Sequence, residues 1–138
     1  MVKDIRPGSE GSRPLALVSA GGRVFFRADD GEHGPEIWKS DGTRKGTRLL
    51  RDIHPGAGSS YPYPVAGIGR TIFLTAFDHP HGGELWSSDG TAAGTQLVKD
   101  IYPGGRESYP TNFAIMNGAL FFDATDPTHG TELWKAVP

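Results

Sequence analysis

The sequence predicts an all-β fold, and three observations lead to that prediction. Its 138 residues include 20 glycines and 11 prolines, a proportion that is typical of chains rich in turns. These turn residues separate short apolar runs at regular intervals, which is the pattern of successive β-strands. No window places apolar residues at the spacing of an amphipathic helix. With seven Phe, four Tyr and three Trp, the chain also has enough large apolar side chains to build a core.

A repeat of 48 residues runs through the chain without gaps. The aligned columns include an Asp-Ile pair, a Pro-Gly pair, a Phe, a His-Gly pair and a Glu-x-Trp motif. The last motif ends at Trp38, Trp86 and Trp134 in the three copies. A repeat of this length indicates that one supersecondary unit is stacked beside copies of itself.

Each repeat is expected to contain four short strands, and the second repeat shows them most clearly. We place these strands at about residues 64–68, 71–77, 83–87 and 95–101. Tight turns with positive φ are expected at Gly69, after the first strand, and at Asp89-Gly90, after the third. The second strand is apolar almost throughout, so it is expected to be covered on both faces. Stacked four-stranded units of about 40 to 50 residues are the blades of a β-propeller.

The two ends of the chain are complementary within the repeat. Residues 1–5 align with the fourth strand of a repeat, and the last repeat reaches only its third strand. We therefore predict one three-blade segment, with repeats at about 1–48, 49–96 and 97–138, whose first strand completes the last blade of another copy. Three blades are fewer than the roughly four of the smallest propellers, so ring closure by homo-oligomerisation is expected. A six-bladed dimer is favoured, because three chains would give about nine blades, outside the usual range.

Around the Glu-x-Trp motif the copies read HGPEIWKSDGTRKGTRLLRDIHPG, HGGELWSSDGTAAGTQLVKDIYPG and HGTELWKA. These segments resemble the bacterial ELWxxDGT repeat proteins, and the resemblance covers essentially the whole chain. Ile37 stands where the motif has Leu, and the third copy lacks the DGT element. The resemblance implies a propeller-like fold and an extracellular or cell-surface location, and it implies no shared catalytic activity. The Ser-Asp-Gly-Thr corner is also similar to the Asp-box hairpin of other propellers, in which the Asp braces the turn.

Charge and composition exclude several classes of partner. Fourteen Lys and Arg face sixteen Asp and Glu, a net charge of -2, and no basic stripe is present that could bind nucleic acid. No apolar run approaches the roughly 20 residues of a membrane span, so membrane insertion is not expected. The absence of cysteine removes disulfides, thiolate zinc sites and a cysteine nucleophile.

The Glu-x-Trp motif is the first candidate ligand site. Glu and Trp two positions apart on a strand project to the same face. A Trp ring can stack on a pyranose while a carboxylate accepts from its hydroxyls, which is a common arrangement in sugar sites. The alternative is that the Trp packs between blades and the Glu closes a backbone hydrogen bond. The residues concerned are Glu36, Glu84 and Glu132 with Trp38, Trp86 and Trp134.

The recurring histidines His33, His81 and His129 are the second candidate. Each follows an Asp by three positions and precedes the Glu by three, so the three residue types are possible metal ligands. This spacing does not by itself bring three side chains together, and we expect neither a metal nor a cofactor. The histidines are retained as ligand-binding candidates, with a structural bracket between blades as the alternative.

The connections between repeats are the third candidate. They differ among the copies and are rich in Tyr, Arg and Glu, which are residue types that form contact surfaces. Tyr61 and Tyr109 are the strongest candidates among them. The alternative is a solvated loop without a ligand.

These observations predict a multivalent, lectin-like protein that binds carbohydrate at repeated blade sites. No pair of carboxylates arranged as in a glycosidase and no activated serine triad is recognisable, so an enzyme is not expected. The alternative function is a structural or adhesive extracellular scaffold that assembles with itself and binds no small molecule. The expected partners are a second copy of the chain and glycans.

Overall fold

The computed structural model describes residues 1–138 and contains eleven β-strands. Their bounds are β1 Leu15–Ala20, β2 Arg23–Asp29, β3 Pro35–Ser40, β4 Arg48–Arg51, β5 Tyr63–Ile68, β6 Thr71–Asp78, β7 Gly82–Ser88, β8 Gln96–Leu97, β9 Thr111–Met116, β10 Ala119–Asp126 and β11 Gly130–Ala136. The structure contains no helix with the length and apolar character needed to cross a bilayer.

The strands form three antiparallel sheets, which we call blades. Blade 1 has the order β1-β2-β3-β4, blade 2 has β5-β6-β7-β8, and blade 3 has β9-β10-β11. Each strand pairs with its neighbours in sequence, as a propeller blade requires. The predicted all-β fold is confirmed, and the three antiparallel sheets are consistent with a partial β-propeller.

The first strands of blades 1 and 2 lie side by side. The backbone N–H of Gly21 donates a hydrogen bond of 2.9 Å to the carbonyl of Gly69. Gly67 on β5 lies so close to the carbonyl of Ser19 on β1 that no Cβ would fit between them. This close approach positions the two blades face to face.

The turns have the conformations that the sequence predicts. Gly69 has a φ of 61° and Asn117, at the aligned turn of blade 3, has a φ of 51°. Gly90 has a φ of 88°, and Asp89 before it accepts hydrogen bonds from both the backbone N–H and the hydroxyl of Thr91. Gly supplies positive φ without steric cost while Asp satisfies the turn amides, so this corner is a structural brace.

Apolar cores fill the spaces between the blades. Between blades 1 and 2, Phe25 and Ile37 from blade 1 pack in one cluster with Leu74 and Trp86 from blade 2. Each fully buried side chain of this size stabilises the fold by about 2 kcal/mol. The corresponding cluster between blades 2 and 3 contains Phe73, Leu85, Ile101, Leu120 and Phe122.

The fourth strands are shorter than predicted. β8 has two residues in place of the expected 95–101, and one further bond, from the N–H of Val98 to the carbonyl of Leu85, extends its ladder. The chain then leaves the sheet because the carboxylate of Glu84, not a neighbouring strand, accepts the N–H of Tyr102. Residues 1–5, predicted as a fourth strand, form no ladder in the single chain. The strand with which they are predicted to pair belongs to another copy.

Candidate functional site

The glutamates of the Glu-x-Trp motif hold the connection to the next blade. Glu36 is fully buried, and it accepts hydrogen bonds from the N–H of Ile53 at 3.1 Å and from the N–H and hydroxyl of Ser60 at 2.8 and 2.7 Å. Glu84 repeats the arrangement with Tyr102 at 3.0 Å and Ser108 at 2.5 Å. Burial raises the pKa of both glutamates, and these hydrogen bonds partly oppose that shift. We call this arrangement the Glu–Ser clamp.

The tryptophans of the motif pack between segments of the chain. The rings of Trp38 and Trp86 are buried, at 5% and 4% exposure, so a pyranose cannot stack on them in this structure. A cation lies over each ring: the Lys3 ammonium is 5.7 Å from the Trp38 ring centroid, and the guanidinium of Arg51, at the end of β4, is 5.7 Å from that of Trp86. The predicted open pairing of Trp with Glu is therefore not formed in blades 1 and 2.

Blade 3 presents the same motif differently. Glu132 is exposed and accepts no hydrogen bond, and Leu133 beside it is 74% exposed, whereas the aligned Leu85 is fully buried. Trp134 is half-buried and donates from its indole N–H to the carbonyl of Ala124 at 3.1 Å. The motif in blade 3 thus lacks the neighbours that cover it in the other blades.

Each recurring histidine forms a pair with the Asp that precedes it by three residues. In blade 2, Nδ1 of His81 lies 2.8 Å from the Asp78 carboxylate, which also accepts the backbone N–H of His81 at 2.8 Å. The hydrogen bond that the His81 ring donates to the Asp78 carboxylate raises the pKa of His81. His33 with Asp30 and His129 with Asp126 repeat this geometry at 2.8 and 2.9 Å.

The pair in blade 3 has the most exposed of the three histidines, with 68% of the His129 side chain accessible. The hydrogen bonds from the side chain and backbone of His129 lower the pKa of Asp126 to about 2. No group of three or more His, Asp and Glu side chains lies close enough to hold a metal ion. These pairs brace the turn between the second and third strands.

The two predicted tyrosines meet at a cleft between blades 2 and 3. The cleft has a volume of 440 Å³, and Tyr61 and Tyr109 line it with 65% and 67% of their surface exposed. Thr75, Glu107 and Thr111 contribute hydroxyl and carboxylate groups to its walls. The structure therefore brings Tyr61 and Tyr109 together, apart from the Glu-x-Trp positions.

Sequence reasoning missed the residues that open this cleft and those that complete the clamp. Thr75 and Glu107 do not recur among the repeats, so no repeated signal marked them. The clamp serines did carry a signal, because Ser12, Ser60 and Ser108 occupy one column of the repeat. A recurring small polar residue opposite a recurring Glu could have identified the pair.

No protein-family model matches the chain, and no curated protein matches it either. Among solved structures, the chain is similar to the crystal structure of the computationally designed Ika4 protein. The two share 19% sequence identity with a TM-score of 0.45, over 97% of this chain and 71% of that one. At this level of similarity nothing about ligands or activity transfers to the chain.

Proposed function

We propose that the protein binds carbohydrate, without catalysis, in the cleft between blades 2 and 3. The observation that supports this proposal is the placement of Tyr61 and Tyr109, two largely exposed aromatic side chains on the walls of one concave site. Exposed aromatic rings beside hydroxyl and carboxylate groups suit a ligand with an apolar ring face and a hydroxylated rim. The volume of 440 Å³ fits a ligand the size of one or two sugar rings.

The backbone holds both tyrosines in place. Tyr61 and Tyr109 have φ values of 46° and 50°, a left-handed conformation that few residues other than glycine adopt. Arg13, in the aligned column of blade 1, has a φ of 47°, so the repeat itself imposes this conformation. Rings presented from a fixed backbone lose little conformational entropy when a ligand binds.

One substitution within the repeat explains why the cleft is open here. Between blades 1 and 2, the guanidinium of Arg27 lies 5.4 Å from the ring centroid of Tyr61. One repeat later the column of Arg27 holds Thr75, and the column of Tyr61 holds Tyr109. The shorter Thr75 side chain leaves the space beside Tyr109 free for a ligand.

The resemblance of the Glu-x-Trp segments to ELWxxDGT repeat proteins supports a place at the cell surface or outside the cell, where glycans are accessible. A single shallow cleft of this kind binds weakly. An assembly with several such clefts would bind with higher avidity to a surface that carries many copies of the glycan.

Binding is tested on a broad glycan array with the unmodified protein and with Tyr109→Ala. We expect binding to a defined set of glycans that Tyr109→Ala reduces by at least about fivefold, because stacking on an aromatic ring is worth about 1 kcal/mol or more. Tyr63→Ala is the matched control, since Tyr63 is 55% exposed on β5 but does not line the cleft. Equal losses from both variants would contradict the assignment of the site.

The second candidate function is a scaffold that binds no small molecule. The scaffold function is favoured by the burial of the recurring residues, which pack between blades. These residues are Glu36, Glu84, Trp38 and Trp86. A folded protein that binds nothing on the array would support this scaffold function and overturn the carbohydrate proposal.

A further inference from the structure

The two cores between blades have matching halves. One half consists of a Phe and a branched apolar residue from one blade, together with the Ile of the connection that follows. The other half consists of a Trp and the apolar residues beside it in the next blade. For the core between blades 1 and 2 these are Phe25, Ile37 and Ile53 facing Leu74, Ala76 and Trp86. Because the repeat is exact in register, each position in one core has a defined counterpart in every other core.

Two parts of the chain correspond, by their positions in the repeat, to the two halves of a third core. Blade 1 carries the receiving half, a small cluster of Phe26, Ala28 and Trp38, against which Ile5 packs. The residues aligned with Phe25 and Ile37 are Phe121 and Leu133 of blade 3. Leu133 is 74% exposed while Ile37 is fully buried, so blade 3 carries the uncovered complementary half.

The first residues of the chain already lie where the end of a preceding blade's fourth strand would lie. Nζ of Lys3 donates to the carbonyl of Thr47 at 2.8 Å, and its repeat equivalent Arg51 donates to the carbonyl of Thr95. Lys3 also lies over Trp38 as Arg51 lies over Trp86. Residues 1–5 thus take the position that the end of a preceding blade's fourth strand would have against blade 1, and they pair with no strand in the single chain.

From these positions we propose that blade 3 of one copy docks on blade 1 of a second copy, and that Glu132 forms a Glu–Ser clamp with that copy's Ser12. Glu132 aligns with Glu36 and Glu84, and Ser12 aligns with Ser60 and Ser108. The carboxylate also accepts from the backbone N–H of the second copy's Ile5, as Glu36 accepts from Ile53. Burial of Glu132 in this way is compensated by these donors.

The same alignment fixes how the strands pair across the junction. Ile37 on β3 lies opposite Arg51 on β4, so Leu133 on β11 lies opposite Lys3 of the second copy. β11 forms the free edge of blade 3, and residues 1–5 supply its missing fourth strand. Two such junctions join two copies into a ring of about six blades, within the range known for propellers.

The position of Gly130 in blade 3 is consistent with a second copy docking there. Gly34 and Gly82 lie too close to the carbonyls of Gly58 and Arg106 for a Cβ to fit. Gly130 occupies the same column, has a φ of 77°, and has nothing near the position of a Cβ in the single chain. In the docked arrangement the connection of the second copy lies over Gly130.

The strand register is tested with two single variants, Leu133→Cys and Lys3→Cys, because the chain contains no cysteine of its own. Mixed and treated with a mild oxidant, they are expected to form a covalent heterodimer that neither variant forms alone. A mixture of Leu133→Cys with Arg44→Cys, which lies on an exposed turn, is the control. No covalent product above that control, with all variants folded by circular dichroism, would overturn the docking proposal.

The clamp is tested by the dissociation constant of the dimer, measured by sedimentation equilibrium. Glu132→Ala and Ser12→Ala are each expected to raise it by at least about tenfold, and the double variant by less than the product of the two effects. Glu32→Ala, an exposed glutamate of a turn in blade 1, is expected to leave it unchanged. If the cysteine variants cross-link but Glu132→Ala leaves the dissociation constant unchanged, the docking of blade 3 on blade 1 is supported and the clamp between Glu132 and Ser12 is overturned.

Discussion

The hydroxyl of Ser60 donates a hydrogen bond of 2.7 Å to the carboxylate of Glu36 in the preceding blade. The carbonyl of Ser60 in turn accepts the N–H of Phe77 on β6 at 2.7 Å. One serine thus links β3 of blade 1 to β6 of blade 2. Ser108 makes the same two connections, to Glu84 and to Thr125. The clamp therefore sets the position of each blade relative to the one before it.

Replacing a clamp glutamate is expected to destabilise the fold. Glu84→Ala leaves the hydroxyl of Ser108 and the N–H of Tyr102 without an acceptor in a buried site, at a cost of about 3 kcal/mol. Glu32→Ala, at an exposed position, is expected to change the free energy of unfolding by less than about 0.5 kcal/mol. Urea denaturation measures both values, and similar losses from the two variants would contradict a clamp role.

The Asp of the corner after the third strand is expected to contribute to stability through its turn. Asp89→Ala removes the acceptor for both the N–H and the hydroxyl of Thr91 and should lower the melting temperature by a few degrees. Arg44→Ala, in the aligned turn of blade 1, makes no such bond and serves as the control. An unchanged melting temperature for Asp89→Ala would show that the turn does not need its brace.

The His–Asp pairs predict a pH dependence with a definite sign. Because Asp78 raises the folded pKa of His81 above its ordinary 6.5, the pair stabilises the fold fully below about pH 6.5. That contribution is lost as the pH rises through the raised value. An NMR titration of the His81 ring should give a pKa above 6.5 that falls in Asp78→Asn. The same pKa in both proteins would exclude Asp78 as the cause.

Filling the cleft is expected to abolish carbohydrate binding without removing an aromatic ring. Thr75→Arg restores the residue found in the aligned column of blade 1, and its guanidinium should lie over Tyr109 as that of Arg27 lies over Tyr61. Isothermal titration with a glycan selected on the array measures the loss, and Thr75→Ser is the matched control. Undiminished affinity in Thr75→Arg would place the ligand elsewhere.

Much of the fold can be predicted from the sequence because the aligned repeats support the same assignment of strands and turns. The turn at Gly69 and the apolar second strand are marked in three aligned repeats, and the turn at Asp89 is marked in two, so the alignment locates turns and strands that one copy would leave ambiguous. The ends of the fourth strands do not follow, because a buried carboxylate such as Glu84 competes with the ladder for backbone N–H groups.

The candidate site was harder to predict for the same reason. Recurrence marks what every blade needs, so the repeated Trp86 and Glu84 drew attention as ligand residues although they hold blades together. The cleft instead depends on departures from the repeat, Thr75 and Glu107, whose proximity to Tyr109 arises only when two blades pack.

Solution mass tests most directly whether the uncovered half of the third core, on blade 3, meets blade 1 of a second copy. Light scattering across a range of concentrations should give a species of twice the 14.8 kDa chain mass, and dilution should yield single chains only below the dissociation constant. A folded species of 14.8 kDa at every concentration would contradict the account, because Leu133 would then stay without the partner blade that the repeat assigns to it.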